Sequence, residues 1–380
     1  MPLHEMKITV LGPTYPIKGG ISHYTTLLVQ HLRKRHEVDF INFSYQYPAW
    51  LYPGTGQFDA SGKVIEVRND RIFHSLLPSS WNAVVRRVIK NDSEILLTAW
   101  WTYFFALQYA YINARVKKAG KRVMYICHNV KQHENRPLES FFTKLAFKDV
   151  DYFIVHSNED RENLLKYRPD ANIKINVHPT YDHFASLYDK TRAEFIKTKK
   201  KPNTILYFGV VRQYKGLKYL IEAFPMVLKE ISDANLLIVG DFWEKEEEYR
   251  QMLKDYRIEK STELINRYVP NEEVGDYFLM ADVVALPYIS ATQSGIVQIA
   301  YGFQKPVIVT RVGGLPEVVD EGKTGFTVNP QDSLSLAEGI IKALKNAQSE
   351  TFADNIKTYS EKFSWDHMVD TIESFSMKPL

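Results

Sequence analysis

The chain has 380 residues, of which 45% are hydrophobic and 24% charged, and its formal net charge is +3. This length exceeds what one ordinary hydrophobic core supports and predicts two domains of a globular protein. The single cysteine, Cys127, excludes an internal disulfide and favours a reducing compartment. The N-terminus lacks the pattern of a signal peptide, so we expect a cytoplasmic protein.

In the first half of the chain, short apolar runs alternate with helical patterns. Residues 7–11 predict a strand, followed by a glycine-containing loop and a helix over 21–32. Further strands are predicted over 38–43, 95–99, 123–127 and 152–155. The alternation predicts a parallel sheet covered by helices, in a first domain over residues 1–185.

Two segments of this half could be taken for membrane-binding elements. Residues 95–114 carry no charge, but polar side chains interrupt the run, and we interpret it as a buried strand followed by a helix. Between positions 81 and 90, apolar residues recur at helical spacing opposite Arg86, Arg87 and Lys90. This basic amphipathic stripe either packs on the first domain or lies at the inner face of a membrane, as a peripheral contact.

A charged segment separates the two halves. Residues 190–202 end in Lys-Lys-Lys-Pro and suit an exposed connection better than a packed element, so we assign residues 186–203 to a linker.

The second half repeats the plan of the first. Strands are predicted over 204–208, 236–239, 264–268, 283–287 and 307–310, in a second domain over 204–355. A last segment, 356–380, can cross back to the first domain. We predict an α/β protein with two facing, doubly wound, Rossmann-like domains, whose ligand lies at the carboxyl ends of the strands, between the domains.

Cations and glycines stand at several of these strand ends. Gly209, Arg212 and Lys215 follow the first strand of the second domain, where an Arg fork and a Lys point charge can offset a diphosphate. Gly19 and Gly20 follow the first strand of the first domain and allow a close backbone approach. His128 follows the strand 123–127, and Thr292, Gln293, Ser294 and Gly295 precede a helix whose N-terminus favours anions.

The segment 306–332, with a strand, the Gly313-Gly314 turn and Glu317, resembles the signature of retaining glycosyltransferases of the GT-B fold, family 4. The resemblance extends from about residue 7 to residue 374. It implies a metal-independent enzyme in which Arg212 and Lys215 hold the donor diphosphate and His128 lies near the donor sugar. Arg267 and Tyr268 would lie closest to the base, and no cofactor is implied.

The chain departs from the family at two positions. Family members usually carry two glutamates, which fall here on Ala291 and Ile299. Neither side chain accepts a hydrogen bond, so the ribose contact is absent or comes from Gln298 or Gln293.

The resemblance implies transfer of a sugar from a UDP- or GDP-sugar to a saccharide or lipid-linked acceptor, with retention of configuration, in surface polysaccharide or glycolipid synthesis. Tyr15, Trp100, Trp101 and Tyr103 could stack on the acceptor. The alternatives are a sugar-nucleotide epimerase and an inactive nucleotide-sugar-binding protein. Asp149-Val150-Asp151 precedes a strand rather than following one, so we expect no metal there, and no nucleic-acid motif is present.

Overall fold

The structure, a computed structural model, describes residues 5–48, 56–62, 64–131, 138–186, 190–347 and 350–376. Residues 187–189 of the predicted linker and 377–380 of the predicted last segment lie outside these ranges.

The first domain is built on a parallel sheet of seven strands. In chain order they are β1 (Lys7–Leu11), β2 (Glu37–Tyr45), β3 (Asp70–His74), β4 (Ile95–Trp100), β5 (Arg122–Cys127), β6 (Tyr152–Val155) and β7 (Asn172–Ile175). Their spatial order is β3-β2-β1-β4-β5-β6-β7, and all neighbours pair in parallel. The direction of winding reverses between β1 and β4, which is where sheets of this type bind ligands.

Helices cover both faces of this sheet. They are α1 (Gly20–Leu32), α2 (Pro78–Lys90), α3 (Ala106–Lys118), α4 (Glu139–Phe147) and α5 (Asn158–Tyr167). One buried cluster joins α2, α3 and α4 to one face, and another joins α1 to the opposite face.

The second sheet has six parallel strands. They are β8 (Thr204–Phe208), β9 (Asn235–Gly240), β10 (Thr262–Asn266), β11 (Val283–Leu286), β12 (Val307–Thr310) and β13 (Gly325–Val328). The spatial order β10-β9-β8-β11-β12-β13 repeats that of the first sheet, with its reversal between β8 and β11. The predicted α/β architecture of two doubly wound domains is therefore confirmed.

The helices of the second half complete the fold. They are α8 (Leu217–Glu230), α9 (Glu246–Asp255), α10 (Asn271–Met280), α11 (Gly295–Gly302), α12 (Ser333–Ala347), α13 (Glu350–Ser360) and α14 (Trp365–Ser376). The last of them, α14, packs on α1 of the first domain. There the Arg35 guanidinium lies 2.5 Å from the Asp370 carboxylate, and the Trp365 indole donates a hydrogen bond to the Thr180 carbonyl at 2.9 Å.

The segment between the sheets is more ordered than we expected from its charge. Two helices occupy it, α6 (His183–Ser186) and α7 (Lys190–Thr198). Helix α7 packs on α10, its Ile196 is buried, and Arg192 pairs with Asp276 at 2.9 Å. The interpretation of 190–202 as an exposed connection is thus wrong for α7, because Ile196 and Arg192 together give this charged helix a packing face.

Both candidate membrane elements are built into the first domain. The uncharged run 95–114 is divided between β4 and α3, and no helix within the described ranges is long and apolar enough to cross a membrane. In α2, Val84, Val85 and Val88 are buried in the core, and Arg87 pairs with Asp39 at 2.8 Å. Most of the α2 face that we considered for membrane contact is therefore used in packing, and Ile89 at its end is exposed.

Candidate active site

The facing carboxyl edges of the two sheets enclose a cavity of about 410 Å³. Its lining comes from both domains. Of the predicted site residues it includes Gly19, Gly20, Gly209, Lys215, Arg267, Tyr268, Thr292, Gln293, Ser294 and Gly295. The topology brings these residues together because each follows a strand whose carboxyl end meets the cleft.

The loop after β8 requires glycine for steric reasons. Gly209 has φ +115°, a conformation that side chains strongly disfavour. A Cβ placed on Gly240, at the end of the neighbouring β9, would lie 1.7 Å from the Gly209 carbonyl oxygen. The two loops therefore approach each other as closely as backbone allows, and Gly209 and Gly240 both line the cavity with Lys215.

Lys215 supplies a cation to this part of the cavity. It is half-buried, and its Nζ lies 5.3 Å from the centre of the Tyr288 ring. Burial lowers the pKa of the Lys215 ammonium, with Tyr214 acting in the opposite direction and Arg212 adding to the decrease. A partly desolvated cation is well suited to an anionic ligand, because its field is less screened than at an exposed site.

Arg212 lies beside the cavity rather than in its lining. Its guanidinium carbon lies 5.3 Å from the centre of the Trp243 ring and 5.6 Å from that of Tyr214. Two aromatic rings thus fix the direction of the guanidinium, and the Trp243 indole is itself held by a 3.1 Å hydrogen bond to Asp241.

The side chains of Thr292 and Gln293 connect the two domains. The Thr292 hydroxyl donates to the Asn129 side chain at 2.5 Å. The Gln293 amide donates to the carbonyls of His156 at 3.2 Å and Gly314 at 3.0 Å. The amide nitrogen of Gln293 is therefore used within the protein, whereas its Oε1, the atom that could replace a glutamate acceptor, has no hydrogen-bond partner among the described residues. Ser294 caps α11, accepting from the Ile296 amide at 3.3 Å.

The structure places Gln298 away from the position that we predicted for it. Gln298 is 0% exposed and outside the cavity lining, and neither atom of its side-chain amide has a hydrogen-bond partner among the described residues. The next residue of α11, Ile299, faces the cavity, and the side chain of Gln298 points away from the cavity. The side chain of Gln298 therefore cannot replace a ribose-binding glutamate in this arrangement.

His128 lies beneath the cavity. Its ring centre is 4.5 Å from that of Tyr24 and 5.2 Å from that of His156, and the neighbouring Asn129 lines the cavity in its place. Burial, with contributions from His156 and His178, holds the pKa of His128 well below its usual range. The ring is enclosed, and its Nε2 has no hydrogen-bond partner among the described residues, so a role for His128 near the donor sugar stays a prediction.

Arg267 and Tyr268 also line the cavity. The Arg267 guanidinium pairs with Glu273 and is 2.8 Å from the Tyr277 hydroxyl, and the Glu273 hydrogen bond raises the pKa of Arg267. The Lys18 ammonium lies 4.9 Å from the centre of the Tyr268 ring. Both residues follow β10. This strand begins and ends two residues earlier in the structure than we predicted from the sequence.

Sequence reasoning missed several cavity residues. The most informative are Asn129, Tyr181, Asp241 and Tyr288. Asp241 directly follows β9, and Tyr288 comes shortly after the end of β11. Their position after a strand was therefore a usable signal. Tyr181 stands between the sheets in a segment with no such signal. Ala291 and Ile299 also line the cavity and give it an apolar wall.

Two predictions about ligands can be compared with the residues that the structure describes. Within those ranges, no group of three or more His, Cys, Asp or Glu side chains could hold a metal ion. Asp151 instead pairs with Lys117 and accepts from the Val123 amide at 2.8 Å. Of the aromatic residues proposed to stack on an acceptor, Trp100 is unavailable, because it is buried against Tyr125 and Phe147 in the core.

Two family profiles match successive parts of the chain. Residues 18–180 match Glycosyltransferase Family 4, and residues 189–363 match Glycosyl transferases group 1. An uncharacterized glycosyltransferase of Methanocaldococcus jannaschii is 30% identical over 96% of both chains. The D-inositol 3-phosphate glycosyltransferase of Corynebacterium glutamicum is 27% identical, over 55% of this chain and half of its own length.

A solved structure shows the same fold over the full length. The Anabaena protein HepE, in complex with UDP, superposes with a TM-score of 0.73 at 17% identity, covering 97% of this chain and 100% of its own. Together with the full-length relative and the two matched profiles, this establishes that the chain is a GT-B glycosyltransferase of the group 1, family 4 type.

Proposed function

We propose that the enzyme transfers a hexosyl group from a nucleoside diphosphate sugar to a saccharide or lipid-linked acceptor, with retention of configuration and without a metal ion. The half-buried Lys215 ammonium in the interdomain cavity is the observation that carries this proposal. The adjoining Gly209 loop leaves room for a diphosphate, and the aromatic contacts of Arg212 direct a second cation to the same region.

In the proposed reaction, the bond between the anomeric carbon and the β-phosphate oxygen breaks. An acceptor oxygen bonds to that carbon on the same face, and its proton passes to the departing phosphate. Lys215 and Arg212 offset the negative charge that develops on the phosphate, and this is their role in catalysis. Glycines 19 and 20 and the α11 N-terminus complete the donor site.

The donor base is proposed to be uracil or guanine. The HepE structures with UDP and with UDP-glucose support a nucleoside diphosphate sugar as the ligand class. The base would lie against Arg267 and Tyr268, which line the same cavity as Lys215.

An apolar surface near the first domain's half of the cleft supports a lipid-linked acceptor. The N-termini of α2, α3 and α4 lie at the carboxyl edge of the first sheet, and α3 packs against both of the others. Large apolar side chains are exposed at these ends, among them Leu107 (54%) and Phe141 (62%). We call these helix ends, with Leu107 and Phe141, the apolar rim. The rim replaces the buried face of α2 as the proposed contact with the inner face of a membrane, and such a contact suits surface polysaccharide or glycolipid synthesis.

Nucleotide binding tests the donor site. We expect UDP or GDP, and the corresponding sugars, to raise the melting temperature of the wild type, because a ligand that binds only the folded state stabilises it. Arg212→Ala and Lys215→Met should each lose most of this increase. Arg311→Ala is the matched control, since Arg311 is a cation of the same sheet that bonds to Asn329. An unchanged melting temperature with every nucleotide would overturn the proposal.

Product analysis separates the alternatives. Transfer consumes the donor only when acceptor is present and gives a product with the donor's anomeric configuration in NMR. An epimerase would convert the sugar nucleotide without acceptor. An inactive protein would bind the donor and never consume it.

Vesicle flotation tests the acceptor side. We expect the wild type to float with anionic vesicles and a Leu107→Ser, Phe141→Ser double variant to remain in the pellet. Leu334→Ser, an equally exposed change in the second domain, is the control. Equal flotation of all three proteins would show that the rim does not determine membrane binding.

A further inference from the structure

Tyr181 lies between the first residues of two helices from different domains. Its hydroxyl donates a hydrogen bond to the carbonyl of Gly20, the first residue of α1, at 3.2 Å. A Cβ placed on Gly295, the first residue of α11, would lie 3.1 Å from Tyr181 Cε2. Tyr181, Gly20 and Gly295 all line the cavity.

Both helices begin at the cavity, and at α11 the Ser294 hydroxyl already accepts from one of the first amides, that of Ile296. The first N–H groups of a helix have no partner within the helix, and the aligned peptide dipoles make its N-terminus positive. An anion can be bound by both ends at once only if their separation matches its size. The group that fixes this separation therefore influences binding without supplying a charge.

The Tyr181 ring occupies the space between the two ends. The residue is only 3% exposed, and its backbone amide is 3.5 Å from the Gln298 carbonyl of α11. Its contacts thus reach the first turn of α1 on one side and both the start and the second turn of α11 on the other. Loss of the ring would leave a void between the two domains at the floor of the cavity.

The hydroxyl contributes less than the ring, because it has two competing acceptors. His178 Nδ1 faces the Pro179 carbonyl at 3.0 Å and therefore carries a proton, which leaves His178 Nε2 as an acceptor 3.3 Å from the Tyr181 hydroxyl. One hydroxyl proton cannot serve both the Gly20 carbonyl and His178 fully. The position of the ring, rather than the hydrogen bond, should set the spacing.

We propose that Tyr181 is a positioning residue that sets the separation of the α1 and α11 N-termini and thereby the affinity for the donor diphosphate. This inference rests on the proposed function, since it assigns a spacing role within the same donor site.

The test compares UDP or GDP affinity, whichever binds the wild type, across four proteins. Tyr181→Phe keeps the ring and should bind within about threefold of the wild type, because a single neutral hydrogen bond has a small net effect. Tyr181→Ala should bind about tenfold or more weakly, with a raised KM for the donor sugar. Tyr152→Ala is the matched control. Tyr152 is equally buried and packs on Phe375, away from the cavity. This control should melt at a lower temperature but keep wild-type affinity.

If Tyr181→Ala does not fold, a fourth variant can still test the inference. Gly295→Ala adds a methyl group against the Tyr181 ring and should also weaken binding, by pushing the two helix ends apart.

The outcomes are distinguishable. Equal affinity of wild type, Tyr181→Ala and Gly295→Ala would overturn the inference and leave the proposed function intact. Equal weakening by Tyr181→Ala and Tyr152→Ala would also overturn it, because a general loss of packing would then explain both. Failure of the wild type to bind any nucleoside diphosphate would remove the proposed function and the inference together.

Discussion

The Glu317 carboxylate accepts hydrogen bonds from both amide groups of Asn158, at 3.0 Å from the backbone nitrogen and 3.1 Å from Nδ2. Asn158 is the first residue of α5 in the first domain, and Glu317 belongs to the short 3-10 helix Pro316–Val318 that follows β12 in the second. A carboxylate at a helix N-terminus is favoured by the free N–H groups and the dipole. This contact therefore joins the two domains directly.

Removing the Glu317 carboxylate should destabilise the interdomain contact. We expect Glu317→Ala to lose about 1–2 kcal/mol, because the two hydrogen bonds to a charged acceptor and the helix-end interaction are lost together. The melting temperature in calorimetry should fall by a few degrees. Glu159→Ala, in the exposed first turn of the same α5, is the control. Equal melting temperatures for Glu317→Ala and wild type would show that this bridge contributes nothing measurable.

Alanine at Gly240 should disrupt the phosphate end of the cavity. The added Cβ would lie 1.7 Å from the Gly209 carbonyl oxygen, so one of the two loops must move. We expect a loss of about 1–3 kcal/mol in the free energy of unfolding, together with weaker nucleotide binding. Urea unfolding and calorimetric titration measure the two effects. Gly20→Ala, whose Cβ would meet no atom within 4 Å, should keep wild-type stability; wild-type stability of Gly240→Ala would contradict this account.

Stability should fall as the pH decreases below about 6.5, because of the buried histidines. Burial lowers the pKa of His156 to about 4 and that of His178 to about 3. Between the unfolded value near 6.5 and these folded values, the unfolded chain binds more protons, so the folded state loses stability on acidification.

The expected loss is on the order of 2 kcal/mol for each of these histidines between pH 7 and pH 5. Urea unfolding at the two pH values measures it. His156→Asn should show a smaller difference between pH 7 and pH 5 than wild type, whereas His367→Asn, on the exposed side of α14, serves as the control. A wild type equally stable at both pH values would rule out neutral buried rings as a source of pH dependence.

The apolar cavity wall should reduce discrimination at the ribose. Ile299 lines the cavity at the position where we predicted a family glutamate to be replaced, and its side chain offers no acceptor to a ribose hydroxyl. We expect UDP and 2′-deoxy-UDP to bind with affinities within about threefold of each other. Ile299→Gln should increase the preference for UDP by up to about tenfold, in line with one added hydrogen bond.

Ile296→Gln is the comparison for this prediction, because Ile296 lines the cavity near Gly209 and Lys215, at the phosphate end. It should leave the preference between the two nucleotides unchanged. A wild type that rejects 2′-deoxy-UDP more than tenfold would mean that another group replaces the missing glutamate.

The central strands of both sheets could be predicted almost residue by residue. β1, β6, β8 and β12 have the predicted bounds, because strands buried on both faces form continuous apolar runs. Four edge strands behaved differently. β3, β7 and β13 were missed, and β10 was placed two residues too late. An edge strand is partly exposed, so its apolar run is broken by polar residues and the signal weakens.

The sequence by itself determined the architecture, the family and the strand ends from which the site is built, because strand burial and the glycine and cation positions leave local patterns. The direction of each side chain was decided only by the tertiary structure. Gln298 and Ile299 are neighbours on α11, yet one is enclosed and the other faces the cavity. The pairing of Gly20 and Gly295 across Tyr181 depends on how two distant helices meet, and no local pattern encodes that distance.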